Sequence, residues 1–195
     1  MVGITKTVTV EDAEARAALE KLTRTMTNRE GFYRNAGEHL MNSTADNFQK
    51  ETGPDGQKWK PLLPATIERR AKRGLVPIEI LRARGRLAGS INLTVTNDEA
   101  RLGTPVPYAA AHQLGATIER KERRQTIYQH YDAKTDTLDQ TFRKKSRSNF
   151  ARDVTVKAHE IKIPARPYLG VKKEDEKILV EIAEDWLKSE NPALK

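Results

Sequence analysis

The stretch Ser90-Ile91-Asn92-Leu93-Thr94-Val95-Thr96-Asn97-Asp98 puts Ile91, Leu93 and Val95 on one face of an extended chain and Asn92, Thr94 and Thr96 on the other. Side chains alternate across a strand, so this period of two predicts a strand with one buried face and one wet face. Asn97-Asp98 reads as a hairpin turn, and Ala100 to Thr104 as the returning strand. A short hairpin cannot bury its apolar face by itself, so the segments around it must cover it.

Those segments read as helices. Glu11, Asp12 and Glu14 open one, where acidic groups suit the positive end of the helix dipole; Ala15, Ala18, Leu19, Leu22 and Met26 follow at helical spacing. Asn28 reads as the N-cap of a second helix, with Phe32, Tyr33, Ala36, Leu40, Thr44 and Phe48 along one face. Both stripes are expected to pack onto the core. At the other end, Ile178, Leu179, Ile182, Ala183, Trp186 and Leu187 form a stripe behind an acidic first turn, Glu174-Asp175-Glu176, and Asn191-Pro192 ends the helix. Val2, Ile4, Val8 and Val10 suggest a short leading strand. The fold class is α+β: a small antiparallel sheet packed against N-terminal and C-terminal helices.

Two connecting regions carry more information than ordinary loops. In Thr52 to Pro64, Pro54-Asp55-Gly56 suits the later positions of a type I turn, and Trp59, Leu62 and Leu63 are apolar groups in a proline-rich loop. The loop is expected to fold back and insert its Trp into the core. Pro64 to Arg73 reads as a short helix with Pro in its first turn and Gly74 beyond its end. Its cations Arg69, Arg70, Lys72 and Arg73 sit in the last turn, where they either complement the dipole or serve binding. Tyr108 to Leu114 reads as a short helical segment closed by Gly115.

Residues 116–163 differ in character. They are polar and strand-like, and between Ala116 and Arg152 they hold 10 Lys/Arg against 5 Asp/Glu. We read them as a basic β-hairpin arm or small sheet with a mobile middle, inserted into a single α+β domain spanning residues 1–195. Tyr128, Tyr131, Phe142 and Phe150 lie among its cations, a mixture that can stack bases and neutralise phosphates. The same aromatics can equally pack the hairpin.

Composition narrows the function classes. The 195 residues suffice for a core without disulfides or metal. With no cysteine, the chain offers no disulfide framework, Cys-ligated zinc, iron–sulfur cluster or thiol nucleophile. The net charge of +8 favours a polyanionic or acidic partner. No apolar run approaches the ~18–20 residues of a membrane span, and the N-terminal residues lack the apolar core of a secretory signal.

No catalytic signature emerges. Gly85 and Gly89 are followed by no phosphate-loop Gly-Lys-Ser/Thr, His159-Glu160 lacks the second His of a zinc helix, and Ser90 is not in a nucleophile elbow. Asp132, Asp136 and Asp139 fail as a calcium loop, because Lys134, Thr137 and Arg143 stand where ligands and the turn glycine belong; a polar hairpin tip explains them better. The four histidines, His39, His112, His130 and His159, are far apart in sequence. We expect no enzyme activity and no cofactor. Helix-turn-helix, zinc-finger and RNP patterns are also missing, so sequence-specific DNA reading is not expected.

Four segments, taken in order, resemble a known family. They are Gly53-Pro54-Asp55-Gly56-Gln57-Lys58-Trp59-Lys60-Pro61-Leu62; Ile80-Leu81-Arg82 with Gly85-Arg86-Leu87-Ala88-Gly89-Ser90-Ile91; Gly103-Thr104 with Tyr108-Ala109-Ala110-Ala111-His112-Gln113-Leu114-Gly115; and Ile163-Pro164-Ala165-Arg166-Pro167-Tyr168-Leu169-Gly170. The set resembles the phage virion morphogenesis family of Mu-like and P2-like bacteriophages, the tail completion proteins, over roughly residues 50–188.

The resemblance implies a non-enzymatic structural protein that acts late in tail completion or head–tail joining, located in the virion and, during assembly, in the host cytoplasm. It implies a homo-oligomer, commonly a six-fold ring in related proteins, whose partners are the tail tube or neck and connector proteins, with non-specific contact to DNA and no membrane. Gly85, Gly89, Gly103, Gly115 and Gly170 are expected in tight turns. The interface candidates are Trp59, Arg82, Tyr108, His112, Arg166 and Tyr168. The candidate contact residues of the basic arm are Arg120, Arg123, Arg124, Arg143, Lys144, Lys145 and Arg147. Arg166 reads either as a partner contact or as a salt bridge to the acidic start of the last helix. Tyr108 and His112 read as a satisfied polar cluster or as an interface contact. Two alternatives remain: a neck or head morphogenesis factor, and a non-specific DNA-binding protein.

Overall fold

The computed structural model describes residues 13–190, so the expected strand at 2–10 and the helix end at Asn191-Pro192 lie outside the described residues. The chain divides into two compact units: residues up to Leu114 together with those from Ala165 onward, and Gly115–Pro164.

In the first unit, α1 (Ala13–Thr27) and α2 (Glu30–Lys50) precede α3 (Pro64–Lys72), the hairpin β1 (Asn92–Val95) and β2 (Ala100–Gly103), and α4 (Ala109–Leu114). A final helix, Lys173–Glu190, closes the unit. The hairpin is antiparallel with Leu93 opposite Leu102, as its alternation requires. It lies against α2 so closely that a Cβ on Gly37 would stand 2.5 Å from a Leu93 methyl, so glycine is what lets helix and hairpin meet. The core gathers Phe48, Trp59, Ile80, Leu87, Val106, Ala109 and Tyr168. Trp59 is inserted as expected, 5% exposed, edge-on to Phe48 at 5.7 Å between ring centres. Leu63 from the same loop stays exposed.

Three expectations need correction. The apolar stripe of α1 does not pack as predicted: Leu19 is 63% and Met26 50% exposed, Ala18 is exposed, and Thr25 is the buried residue. Periodicity records that a helix is two-faced, without recording what covers the apolar face. Asn28 is not the N-cap of α2, whose boundary residue is Arg29 and which has no side-chain cap of its own. The cap comes from the hairpin turn instead. Asn97 Oδ1 accepts the Arg29 N–H at 2.6 Å, and Asn97 Nδ2 donates to the Thr27 carbonyl at 2.7 Å. One side chain thus satisfies an orphan group at the end of α1 and another at the start of α2. Of the five glycines expected in tight turns, Gly85 and Gly115 adopt positive φ and Gly89 lies in the single 3-10 turn Ala88–Ser90, whereas Gly103 is the last residue of β2.

The second unit is a ribbon of antiparallel pairs. β3 (Ala116–Arg120) pairs with β8 (His159–Ile163), and β4 (Arg123–Gln129) with β7 (Phe150–Val156). At the tip β5 (Tyr131–Asp132) pairs with β6 (Thr137–Leu138). The tip is tied to the ribbon. The Arg143 N–H donates to the Tyr128 carbonyl and the Asp139 N–H to that of His130, each at 2.8 Å, while Asn149 exchanges two hydrogen bonds with the Tyr131 backbone. This folding-back leaves Ile127 and Gln129 buried in an otherwise exposed unit.

Candidate functional site

The four sequence motifs converge on one extended segment, Ala165–Gly170. Pro167 denies it one N–H group, and it lies in no β-ladder, so its remaining polar backbone must find other partners. Side chains supply most of them. Gln113 Oε1 accepts the N–H of Tyr168 at 3.0 Å and of Leu169 at 3.1 Å, and its Nε2 donates to the Leu169 carbonyl at 2.8 Å. Trp59 Nε1 donates to the Pro167 carbonyl at 2.7 Å, and Asn47 Nδ2 to that of Tyr168 at 3.0 Å. The Arg166 N–H reaches the His112 carbonyl at 2.7 Å.

Arg166 returns the favour to the Trp59 loop. Its Nε donates to the Lys60 carbonyl at 2.8 Å and its Nη2 to that of Pro61 at 3.2 Å. It therefore does not bridge to the acidic start of the last helix. Trp59, Arg166 and Tyr168, three of the interface candidates, are 5%, 6% and 1% exposed and present almost no side-chain surface. Their chemistry builds the hub. The local signal for this was the pair of prolines flanking Arg166; the part of Gln113 and Asn47 left no trace in the sequence.

The other interface candidates are nearer the surface. Tyr108 is 40% exposed and meets the His112 ring edge-on at 5.8 Å. His112 Nδ1 is buried without a hydrogen-bond partner, so this is not the satisfied polar cluster one reading expected. Burial, then the charges of Arg166 and Arg70, hold the His112 pKa below its ordinary value. Arg82 pairs with Glu79 at 3.1 Å and borders a concavity with Met41, Thr44, Phe48 and Ile91.

A Ser-His-Asp constellation does occur, but its wiring is structural. Asp175 lies in the first turn of α5 (Lys173–Glu190). Its Oδ1 is 2.9 Å from His39 Nε2, while its Oδ2 accepts from Ser43 Oγ and from the Lys172 N–H, also at 2.9 Å. Serine and histidine both spend themselves on the same carboxylate; a nucleophile would need the serine held by the histidine. The arrangement caps α5 and clamps it to α2. Burial of Asp175 by itself raises its pKa, but the Lys172 N–H, Ser43 and His39 outweigh this and hold it below the ordinary value. Among the described residues, no group of three or more His, Asp or Glu is placed to hold a metal ion, and no helix is long and apolar enough to cross a membrane.

The arm carries its charge outward. Arg120, Arg123, Arg124, Arg143, Lys144, Lys145 and Arg147 are all exposed. Arg143 is partly neutralised by Asp139 at 2.5 Å, which with the Thr141 N–H lowers the Asp139 pKa to about 2. Phe142 is 70% exposed, and Tyr131 and Phe150 also face solvent. Asp132, Asp136 and Asp139 bond to neighbouring backbone and side chains, as a polar hairpin tip would.

The chain resembles known sequences. The chain is 33% identical over 117 residues, 60% of its length, to the "Putative capsid assembly protein G" of Escherichia phage Mu, covering 74% of that protein. No solved structure gives a significant match. The family model described as the phage virion morphogenesis family matches residues 10–188, and the chain belongs to that family.

Proposed function

We propose that this phage assembly protein is a non-catalytic structural subunit that completes the tail or joins it to the head, working as a ring of identical copies. The observation that carries this reading is the family match across residues 10–188, which takes in the hub, the arm and the last helix together. In this reading the first unit is the ring-forming body, and the basic arm reaches a neighbouring subunit, the tail tube or a neck protein. Positive charge on the arm also suits passing contact with DNA phosphates, without base recognition. The protein then acts in the host cytoplasm during assembly and stays in the virion.

One observation favours a second reading. The Mu relative is named for capsid assembly, which suits a factor acting on the head or neck. Electron micrographs of particles made without this chain separate the two. Tails with ragged or overlong ends, or separate normal heads and tails, support the first reading; aberrant heads support the second, and normal virions refute both. Deleting residues 120–152 is expected to leave the first unit folded, because the arm forms a unit of its own, and to abolish joining. Normal virions from the deletion would refute the role given to the arm.

A further inference from the structure

The cation run of α3 exceeds what its helix needs. Lys72 pairs with Glu68 at 2.6 Å, and Arg70 Nη1 turns inward to the Glu79 carbonyl at 2.6 Å. Arg69 and Arg73 are exposed, and among the described residues no carboxylate pairs with either. Positions 69 and 73 stand one helical turn apart, so they share a face at the end of α3. There is a second anomaly. Arg166 is 94% buried by its 6% exposure, bonds only to carbonyl oxygens, and has no acidic partner among the described residues. A buried charge ordinarily has a counter-ion, because desolvation without one is costly. Arg70, Arg166 and His112 lie close enough for each arginine to depress the histidine pKa. Arg69, Arg73 and Arg166 therefore stand without a paired negative charge among the described residues.

The same chain carries the complementary surface. α5 has seven acidic residues against three lysines. Its apolar stripe is turned inward and half-buried, and Glu174, Glu181 and Asp185 stand exposed on one side of the helix, spaced by seven and four. Glu174 and Glu181 pair with no cation among the described residues, and Asp185 reaches Lys188 only at 3.9 Å.

We infer that the α3 face bearing Arg69 and Arg73 receives the acidic face of α5 from a second copy of this chain. The inference rests on the reading of the protein as a self-assembling subunit, and it names the contact. Two different patches meet, so the contact is head-to-tail, the kind that closes into a ring when the rotation between copies allows. A protein carboxylate fits better than a nucleic-acid phosphate because α5 supplies an unpaired partner on the same molecule.

The test is complementation of a phage lacking this gene by supplied variants, with the yield of infectious particles as the readout. Arg69→Glu with Arg73→Glu is expected to lower the yield by on the order of 100-fold, since like charges facing one another across an interface are strongly unfavourable. Glu181→Lys with Asp185→Lys is expected to do the same, and all four changes together to restore the yield to within about tenfold. Circular dichroism and melting of each purified variant check that the fold survives. As the chain has no cysteine, co-supplied Arg73→Cys and Glu181→Cys copies provide a second measurement: oxidation of assembled particles should join the two variants to each other. An undiminished yield from either pair of reversals, a folded four-fold variant that stays defective, or assembled particles without the mixed cross-link would overturn the inference. Loss of DNA retention by the α3 reversal while the α5 reversal stays active would also overturn it, in favour of a phosphate partner. If the phage needs no complementation at all, the assembly reading itself fails, which none of the other outcomes implies.

Discussion

Gln113→Ala is the sharpest probe of the hub. The side chain of Gln113 satisfies three backbone groups at once, the N–H of Tyr168, the N–H of Leu169 and the carbonyl of Leu169. The segment it serves carries Tyr168, 1% exposed, so water cannot readily replace what is lost. Each neutral hydrogen bond contributes about 1 kcal/mol net, and each group left unsatisfied costs about 1–3 kcal/mol. Allowing for partial solvent access at Leu169, the substitution should cost about 3 kcal/mol. For a chain of this size that corresponds to a fall in Tm of roughly 6–12 °C. Urea and thermal unfolding followed by Trp fluorescence measure it directly, because Trp59 sits in the same hub. Gln113→Glu keeps the acceptor and loses the donor, so it should cost less than Ala at neutral pH. A loss below about 0.5 kcal/mol for Gln113→Ala, or a larger loss for Glu than for Ala, would refute the reasoning that this side chain supports the segment.

Two further predictions follow from other joints in the first unit. Asn97→Ala removes a group that serves two helix ends, so it should destabilise by about 1–3 kcal/mol, while Asn28→Ala, at the position expected to cap, should cost far less; equal losses in chemical denaturation would contradict the observed wiring. Asp175 has a folded-state pKa below its unfolded value, so its contribution is present in full above about pH 4 and disappears as pH falls through the folded pKa. Stability measured from pH 6 to pH 2 should show this acid-side loss, and Asp175→Asn should show less of it; a parallel pH profile for the two proteins would count against the clamp.

The periodic elements were legible because their physics is local. Ile91, Leu93 and Val95 fixed the hairpin and its faces, Pro64 and Gly74 bracketed α3, and Trp59 declared itself as an indole too large to leave in water. The misreadings share another cause. The stripe of α1 and the cap of α2 depend on what lies against them in space, and the capping residue stands 68 positions away from Arg29. Likewise Arg166 was legible as special from its prolines, but its partners, the carbonyls of Lys60 and Pro61, were not, since every residue, proline included, offers the same carbonyl. The interface candidates illustrate the limit: a motif marks where a fold is constrained, and in Trp59, Arg166 and Tyr168 the constraint is internal support. Arg69 and Arg73 of the α3 run and the cations of the arm, plain charge runs in the sequence, remain exposed.

The side-chain bonding of the 165–170 segment has a consequence for self-association. An extended stretch rich in apolar residues normally invites a foreign chain to lie alongside it and continue the pairing, the first step towards amorphous aggregation or fibres. Here Pro167 has no hydrogen to give, and six main-chain groups are already engaged by Gln113, Trp59, Asn47 and His112. The segment thereby offers a foreign chain few free groups with which to continue a ladder.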